Sequence, residues 1–186
     1  MKLAQDDKKK AILDAARKLL VRRGFHEDEV ALDAVARAAK VAKGTLFLYY
    51  RNKHDLFRAA FGDLVDQLAG ELEAAAAQPL KGRVRLERIV EIVIAYFERN
   101  KDFLSQSARF PGCRLAENHA RMVALLERCA ADGLFPDRDL GPAASNLFGL
   151  CRSAILYKAV SGKEDSMDYR VSRVTDTFLY GQAGRR

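Results

Sequence analysis

The sequence is poor in the residues that usually carry chemistry. Its 186 residues include only three cysteines and three histidines. Cys113, Cys129 and Cys151 are odd in number and far apart, and no CxxC or Cys/His spacing surrounds them. That excludes a disulfide framework and a zinc site by pattern. Their simplest reading is as small buried hydrophobes; the alternative, a redox sensor or an effector contact, needs an exposed thiol of lowered pKa. His26, His54 and His119 form no HExxH pair, and there is no GxxxxGK(S/T) loop, GxGxxG turn or GxSxG elbow. His26 reads as a loop histidine and His119 as a surface or hydrogen-bonded one. No catalytic residue, metal site or cofactor is therefore expected, and the chain does not read as an enzyme. No run approaches the ~20 apolar residues of a membrane span. The charges of MKLAQDDKKKAILDAARKLL are too closely spaced for a secretory signal, so a cytoplasmic protein without membrane contact is expected. Strand alternation, repeats and low-complexity segments are also missing, which leaves an all-α chain.

What is present is apolar material and unevenly placed charge. The composition, 49% hydrophobic and 31% charged, is enough for a core in one domain or two small ones. The net charge is +7. Residues 1 to 58 hold 14 Lys/Arg against 8 Asp/Glu, whereas residues 59 to 186 hold 18 against 17. Nearly all the positive excess lies on the first third. That is the footprint of a polyanion-binding module attached to a neutral one.

The stretch ALDAVARAAKVAKGTLFLYYRNKHDLFR, residues 31 to 58, organises the rest. It predicts a helix over 31–39, a turn at 40–41, a helix over 42–49 and the capped start of another. Small Ala36 lets two helices cross closely, with Val35, Ala39, Val41 and Leu46 turned inward. Ala42, Lys43, Gly44, Thr45, Phe47 and Tyr49 are then left facing outward, as a helix-turn-helix leaves its second helix facing a DNA major groove. Asn52 and Asp55 match a capping box. Lys53 falls beside free backbone N–H groups at a helix N-terminus, a position that suits a phosphate oxygen.

Helical periodicity fills the remainder. The first helix is expected over 7–23, with Gly24 as its C-terminal cap, Phe25 returning to the core and the HEDE run, 26–29, leading to the next. Lys8, Lys9 and Lys10 read as a solvated face or as neighbours of a phosphate backbone. A long helix over 53–77 carries a Leu56, Ala60, Leu64, Leu68, Leu72 ridge. The helix over 83–100 is apolar around most of its circumference and so should be central. Amphipathic segments follow at 102–110, 115–131, 141–160 and 167–181, the first of them interrupted by PGC at 111–113.

The run carried by Val35, Ala36, Ala39, Val41, Gly44, Thr45, Leu46, Tyr49, Lys53 and Leu56 resembles the DNA-binding domain of the tetracycline-repressor (TetR/AcrR-like) family of transcriptional regulators. The resemblance is confined to the first third in motif and extends to the remainder only in architecture. It implies a helix-turn-helix DNA-binding domain over 1–52 and an effector-binding and dimerisation domain over 53–186. It implies double-stranded DNA, a small-molecule effector and a second copy of the chain, held through the last two helices, as partners. Lys43, Gly44 and Thr45 become groove-facing positions, and Thr45, Tyr49 and Lys53 phosphate contacts. The effector cavity would be lined by Tyr96, Phe103, Phe110, Met122, Leu126 and Phe148, or these are plain core. The expected activity is that of a repressor released from a pseudo-palindromic operator by a hydrophobic or amphipathic effector; the alternative is a helical protein-interaction module. Four positions depart from the family pattern: Lys40 stands at a turn glycine, Ala42 and Ala31 at capping Ser/Thr positions, and Phe47 at a tyrosine.

Overall fold

A computed structural model describes residues 5–23, 27–100, 115–135 and 139–181, without the side chains of residues 5, 27 and 115. Expectations for Gly24, Phe25, His26, Phe103, Phe110, Cys113 and the 102–110 segment fall outside those residues. The described residues form eight α-helices and one short 3-10 turn, with no strand among them. In order they are α1 (Gln5–Arg22), the 3-10 turn Glu27–Glu29, α2 (Leu32–Ala38), α3 (Lys43–Leu46), α4 (Lys53–Ala76), α5 (Gly82–Arg99), α6 (Leu115–Ala131), α7 (Leu140–Ser161) and α8 (Met167–Tyr180). No helix among the described residues is long and apolar enough to cross a membrane. The chain divides into two compact units: Met1–Asp66 with Asn100–Arg114, and Gln67–Arg99 with Leu115–Arg186. The division falls inside α4, while the expected functional boundary at 52/53 coincides with the start of that helix.

The core of the first unit is made by helical spacing. Ile12, Ala16 and Leu20 of α1 recur every four residues and are fully buried. They share the interior with Val35 and Ala36 of α2, Leu46 of α3, and Leu56, Phe57, Ala60, Phe61, Leu64 and Val65 of α4. Each large side chain removed from water this way contributes ~1.5–3 kcal/mol. Arg17 of α1 donates from Nη1 to Asp63 Oδ2 of α4 at 2.6 Å, tying the two helices beside that core. Burial, and then the Asp63 carboxylate, push the Tyr50 phenol up from its ordinary pKa.

In the second unit, α5 supplies the centre. Leu86, Ile89, Val90, Ile92, Val93, Ile94, Tyr96 and Phe97 are all buried, and α6, α7 and α8 pack around it. Met122, Leu125, Leu126 and Cys129 of α6 meet it along one stripe, as do Leu140, Ala144, Leu147 and Cys151 of α7. Burial raises the Cys129 thiol to about 11 and the Cys151 thiol to about 12. Both behave as inert apolar residues rather than reactive thiols. Asp139 and Ser166 cap α7 and α8, accepting from Gly141 N and Tyr169 N. His119 Nε2 lies 2.9 Å from the Gly141 carbonyl and 3.1 Å from Ser145 Oγ, joining α6 to the start of α7.

Two ion-pair groups hold α8 against α5. Arg83 reaches Asp176 at 2.6 Å and Glu87 at 2.7 Å. Arg170, only 7% exposed, meets Glu98 through Nη1 at 2.7 Å and Nη2 at 3.3 Å, and Lys158 of α7 reaches Glu98 at 3.6 Å. Burial alone would raise the Glu98 carboxyl, but the hydrogen bonds and charges of Arg170 and Lys158 outweigh it and hold the pKa below its ordinary value. A carboxyl with a depressed folded-state pKa stabilises the fold above its unfolded pKa, and that stabilisation is lost as the pH falls through the folded value. Arg170→Ala leaves Glu98 with only the longer Lys158 contact of the two and is expected to destabilise the protein by about 2 kcal/mol at neutral pH. The deficit should shrink once the pH drops below about 4.3, where unpaired Glu is protonated. Urea titrations of both proteins across this range check it, and a deficit independent of pH would rule out the carboxylate as its source.

Candidate nucleic-acid interface

The exposed face of the first unit is built by the turn between α2 and α3. At the end of α2 the Lys40 N–H donates to the Arg37 carbonyl at 3.1 Å, and the Val41 N–H donates to the Ala36 carbonyl at 3.0 Å. This is the paired hydrogen bonding of a Schellman motif, in which the residue after the cap is left-handed. That residue is Lys40, with φ 56°, the one non-glycine residue of positive φ among those described. Glycine would adopt this conformation freely, whereas a residue with a Cβ pays roughly 1–2 kcal/mol. The conformation expected at this departure from the family pattern is the one observed.

Neither following helix start has a side-chain cap. Ala31 before α2 and Ala42 before α3 are extended residues whose side chains make no capping hydrogen bond. The α3 helix is shorter than the expected 42–49. It spans Lys43–Leu46, and Phe47, Leu48 and Tyr49 continue as turn. The reason lies in the hydrogen bonding: Leu48 N and Tyr49 N donate three residues back, to the Thr45 and Leu46 carbonyls. That tightens the helix end before the chain enters the α4 cap. At that cap Asn52 Oδ1 accepts from Asp55 N at 2.8 Å, while the Asp55 carboxylate pairs with Arg58 at 2.8 Å. The Asn52 half of the predicted capping box is present.

The structure brings most of the predicted DNA-facing residues to one surface. Ala42, Lys43, Gly44 and Phe47 are exposed, Thr45, Tyr49 and Lys53 are half-buried, and Leu46 alone of α3 points into the core. A Cβ added to Gly44 would meet nothing within 4 Å, and its φ is not positive. No neighbour within the chain requires glycine there, so the space is open to a close approach from outside. Lys53 Nζ donates to the Asp28 carbonyl at 3.3 Å, which binds the 3-10 turn to the start of α4. Lys43 Nζ donates to Asp33 Oδ2 at 3.1 Å. Two residues of this surface were not picked out by sequence. Leu48 is 80% exposed where a helix continuing to residue 49 gives no reason to distinguish it. Asp33 gains its role only from the folded turn, which brings two residues ten apart into contact.

The four described residues of the expected effector cavity lie in the second unit. Tyr96, Met122 and Leu126 are buried and Phe148 is half-buried. Phe97 bridges two of them, with ring centroids 6.2 Å from Tyr96 and 6.5 Å from Phe148. A separate groove of about 140 Å³ lies between α7 and α8 and is lined in part by Tyr157, Asp165, Arg170, Arg173, Val174 and Thr177. None of the expected cavity residues lines it. Among the described residues no group of three or more His, Cys, Asp or Glu is placed to hold a metal ion.

Residues 12–60 match the sequence pattern of the family described as "Bacterial regulatory proteins, tetR family". The fatty acid metabolism regulator protein of Bacillus subtilis is 28% identical over 79 residues, covering 42% of this chain and 40% of that protein. The chain thus matches less than half the length of that curated relative. The fatty acid degradation regulator FadR from Bacillus halodurans has a similar fold, with a TM-score of 0.76 at 18% identity and all of both chains covered. FadR from Bacillus subtilis in complex with stearoyl-CoA has a TM-score of 0.69 at 16% identity, covering 92% of this chain and 97% of that one.

Replacing Lys40 by glycine removes the left-handed penalty and is expected to stabilise the fold by about 1 kcal/mol, a rise in melting temperature of roughly 2–4 °C for a chain of this size. Thermal unfolding followed by circular dichroism measures it, and a fall in melting temperature would show that the Lys40 side chain contributes more than its backbone costs.

Proposed function

We propose that this chain, whose residues 12–60 match the tetR family of bacterial regulatory proteins, is a ligand-responsive DNA-binding regulator acting as a repressor at a pseudo-palindromic operator. The observation that carries the DNA-binding reading is the outer face of α3. It presents to solvent an unfilled glycine position and, just past its end, the apolar pair Phe47 and Leu48, which have no structural use inside the chain, beside the Lys43 ammonium, whose pairing with Asp33 is open to water. A lysine donates to guanine O6 and N7, and apolar atoms suit thymine methyl groups. Lys43, Gly44 and Thr45 face the bases in this reading, with Ala42 and Phe47 at the groove wall. Thr45, Tyr49 and Lys53 serve phosphates. Residues 1–52 carry DNA binding and residues 53–186 carry effector binding and dimerisation.

The effector proposed is amphipathic, with a long apolar tail. Two observations support this: the apolar interior around α5, and the likeness in fold to a regulator solved with stearoyl-CoA. Tyr96, Met122, Leu126 and Phe148 are the described cavity residues of this proposal. An effector releases DNA only through its differential affinity for the two states; moving an equilibrium from 1:99 to 99:1 takes a preference of about 10⁴-fold. The active species is a homodimer joined through α7 and α8. Leu156, Tyr157 and Val160 of α7 and Tyr169 and Tyr180 of α8 are large apolar side chains left exposed on those two helices. A two-fold pair would set two α3 helices on successive turns of the major groove.

A mobility-shift titration over a range of salt tests the reading. Binding should weaken along a straight log–log line whose slope counts the phosphates neutralised. Lys53→Ala is expected to weaken all duplexes alike, and Lys43→Ala to change the order of preference in a site library. Absence of both binding and a negative salt slope would favour the alternative of a protein-interaction module, for which the exposed Phe47 and Leu48 would be contacts. Stearoyl-CoA added to the complex should free the DNA, and an unchanged shift would remove acyl thioesters as effectors. For the dimer, Val160→Asp is expected to yield a folded monomer in sedimentation velocity; an intact dimer would place the interface elsewhere.

A further inference from the structure

We propose that Asp33 is a specificity-determining residue of the DNA interface, acting as a built-in counterion that withholds Lys43 from DNA lacking a matching acceptor. The inference rests on the DNA-binding reading above. Asp33 lies in the first turn of α2 and Lys43 is the first residue of α3. The turn closed at Lys40 folds the two helices together, and Lys43 Nζ meets Asp33 Oδ2 at 3.1 Å. The side chains are 52% and 61% exposed. A pair so open to water is worth only about 0–1 kcal/mol, so it contributes little to folding and can be opened by a competitor.

The position of this pair gives it a second effect. Lys43 leads the exposed face of α3, beside Gly44, where no atom of the chain fills the space. A phosphate drawn to Lys43 therefore also meets the Asp33 carboxylate, and the two negative charges repel. An ammonium already neutralised within the protein neutralises no phosphate and so releases none of the counterions condensed on the DNA. It adds nothing to the general attraction between a basic surface and DNA. A guanine edge is different, because O6 and N7 are neutral acceptors and can take the ammonium without a like-charge penalty. Asp33 thus lowers affinity for arbitrary DNA more than for a site with a guanine in reach of Lys43. Ala31 and Ala42, at the starts of the same two helices, carry no polar side chain that would add a phosphate contact in its place.

The test uses the full chain in four forms: wild type, Asp33→Asn, Lys43→Ala and the double variant. Each is titrated with a short duplex of mixed sequence at several salt concentrations, and with duplexes that wild type selects from a random pool. On the mixed duplex, Asp33→Asn is expected to bind roughly threefold to tenfold more tightly at moderate salt, with a salt slope steeper by about 0.9, the value of one added phosphate contact. The gain should vanish in the Lys43→Ala background and be smaller on the selected duplexes. An equal gain with and without Lys43 would overturn the pairing, because Asp33 would then act as a lone repulsive charge. An absent gain, or an equal one on both classes of duplex, would overturn the specificity role. If none of the four proteins binds any duplex, the DNA-binding reading itself fails, an outcome distinct from wild type binding with Asp33→Asn unchanged. Melting temperatures of the four proteins guard against misreading a folding defect as a binding change.

Discussion

The hydrogen bond from the Val41 N–H to the Ala36 carbonyl, 3.0 Å long, sets where the exposed helix of the first unit begins. A helix of four residues has no independent stability. The α3 helix exists because its entry is fixed by that bond and its Leu46 side chain is buried. The turn admits no slack: Ala36 must be small for the helices to cross, and the residue after the cap must be left-handed. Glycine would meet the second condition at no cost. The chain uses Lys40 and accepts the strain, retaining a positive charge on the exposed turn.

The second unit obeys a different constraint. The α5 helix is buried around most of its circumference, so the helices packed against it must supply apolar faces, and those of α6, α7 and α8 do. Apolar contact is tolerant of sliding, whereas ion pairs are directional. Arg83 with Asp176 and Arg170 with Glu98 hold α8 in one register against α5. With that register fixed, the outer surfaces of α7 and α8 are fixed too, including the exposed Leu156, Val160, Tyr169 and Tyr180. Singly exposed apolar residues need no explanation, and several on two neighbouring helices make up the surface that the proposed dimer would cover.

Periodicity made most of this legible in advance. The α4 ridge from Leu56 to Leu72 and the buried set of α5 follow from spacing alone, because burial in a helix depends on residues three and four apart. The left-handed Lys40 and the two uncapped helix starts were likewise readable, since turn and cap chemistry is local. The length of α3 was not. Phe47, Leu48 and Tyr49 fit a helical pattern, and their tighter hydrogen bonding depends on how the chain must turn into the Asn52 cap. Nor was the pairing of Lys43 with Asp33 readable. No spacing rule joins residues on two helices whose approach is set by the turn between them. The groove between α7 and α8 escaped for the same reason, as it depends on tertiary packing.

Three of the departures from the family pattern share one physical direction, and Asp33 adds to it. Ala31, Ala42 and Phe47 lack hydroxyl groups that would hydrogen-bond phosphate oxygens, and Asp33 sets a carboxylate against the lysine leading α3. Contacts to the sugar–phosphate backbone hold every sequence equally and carry no sequence information. Removing them lowers affinity for all DNA, while the net positive charge of residues 1 to 58 still draws the head to the duplex. In the proposed interface, what remains at short range beside the phosphate contacts of Thr45, Tyr49 and Lys53 is Lys43 with its conditional partner, the open position at Gly44, and the apolar Phe47 and Leu48. Such contacts depend on which base lies opposite. A head that binds DNA as proposed gives up general hold and keeps long-range attraction, so a larger share of its short-range binding free energy falls on the bases.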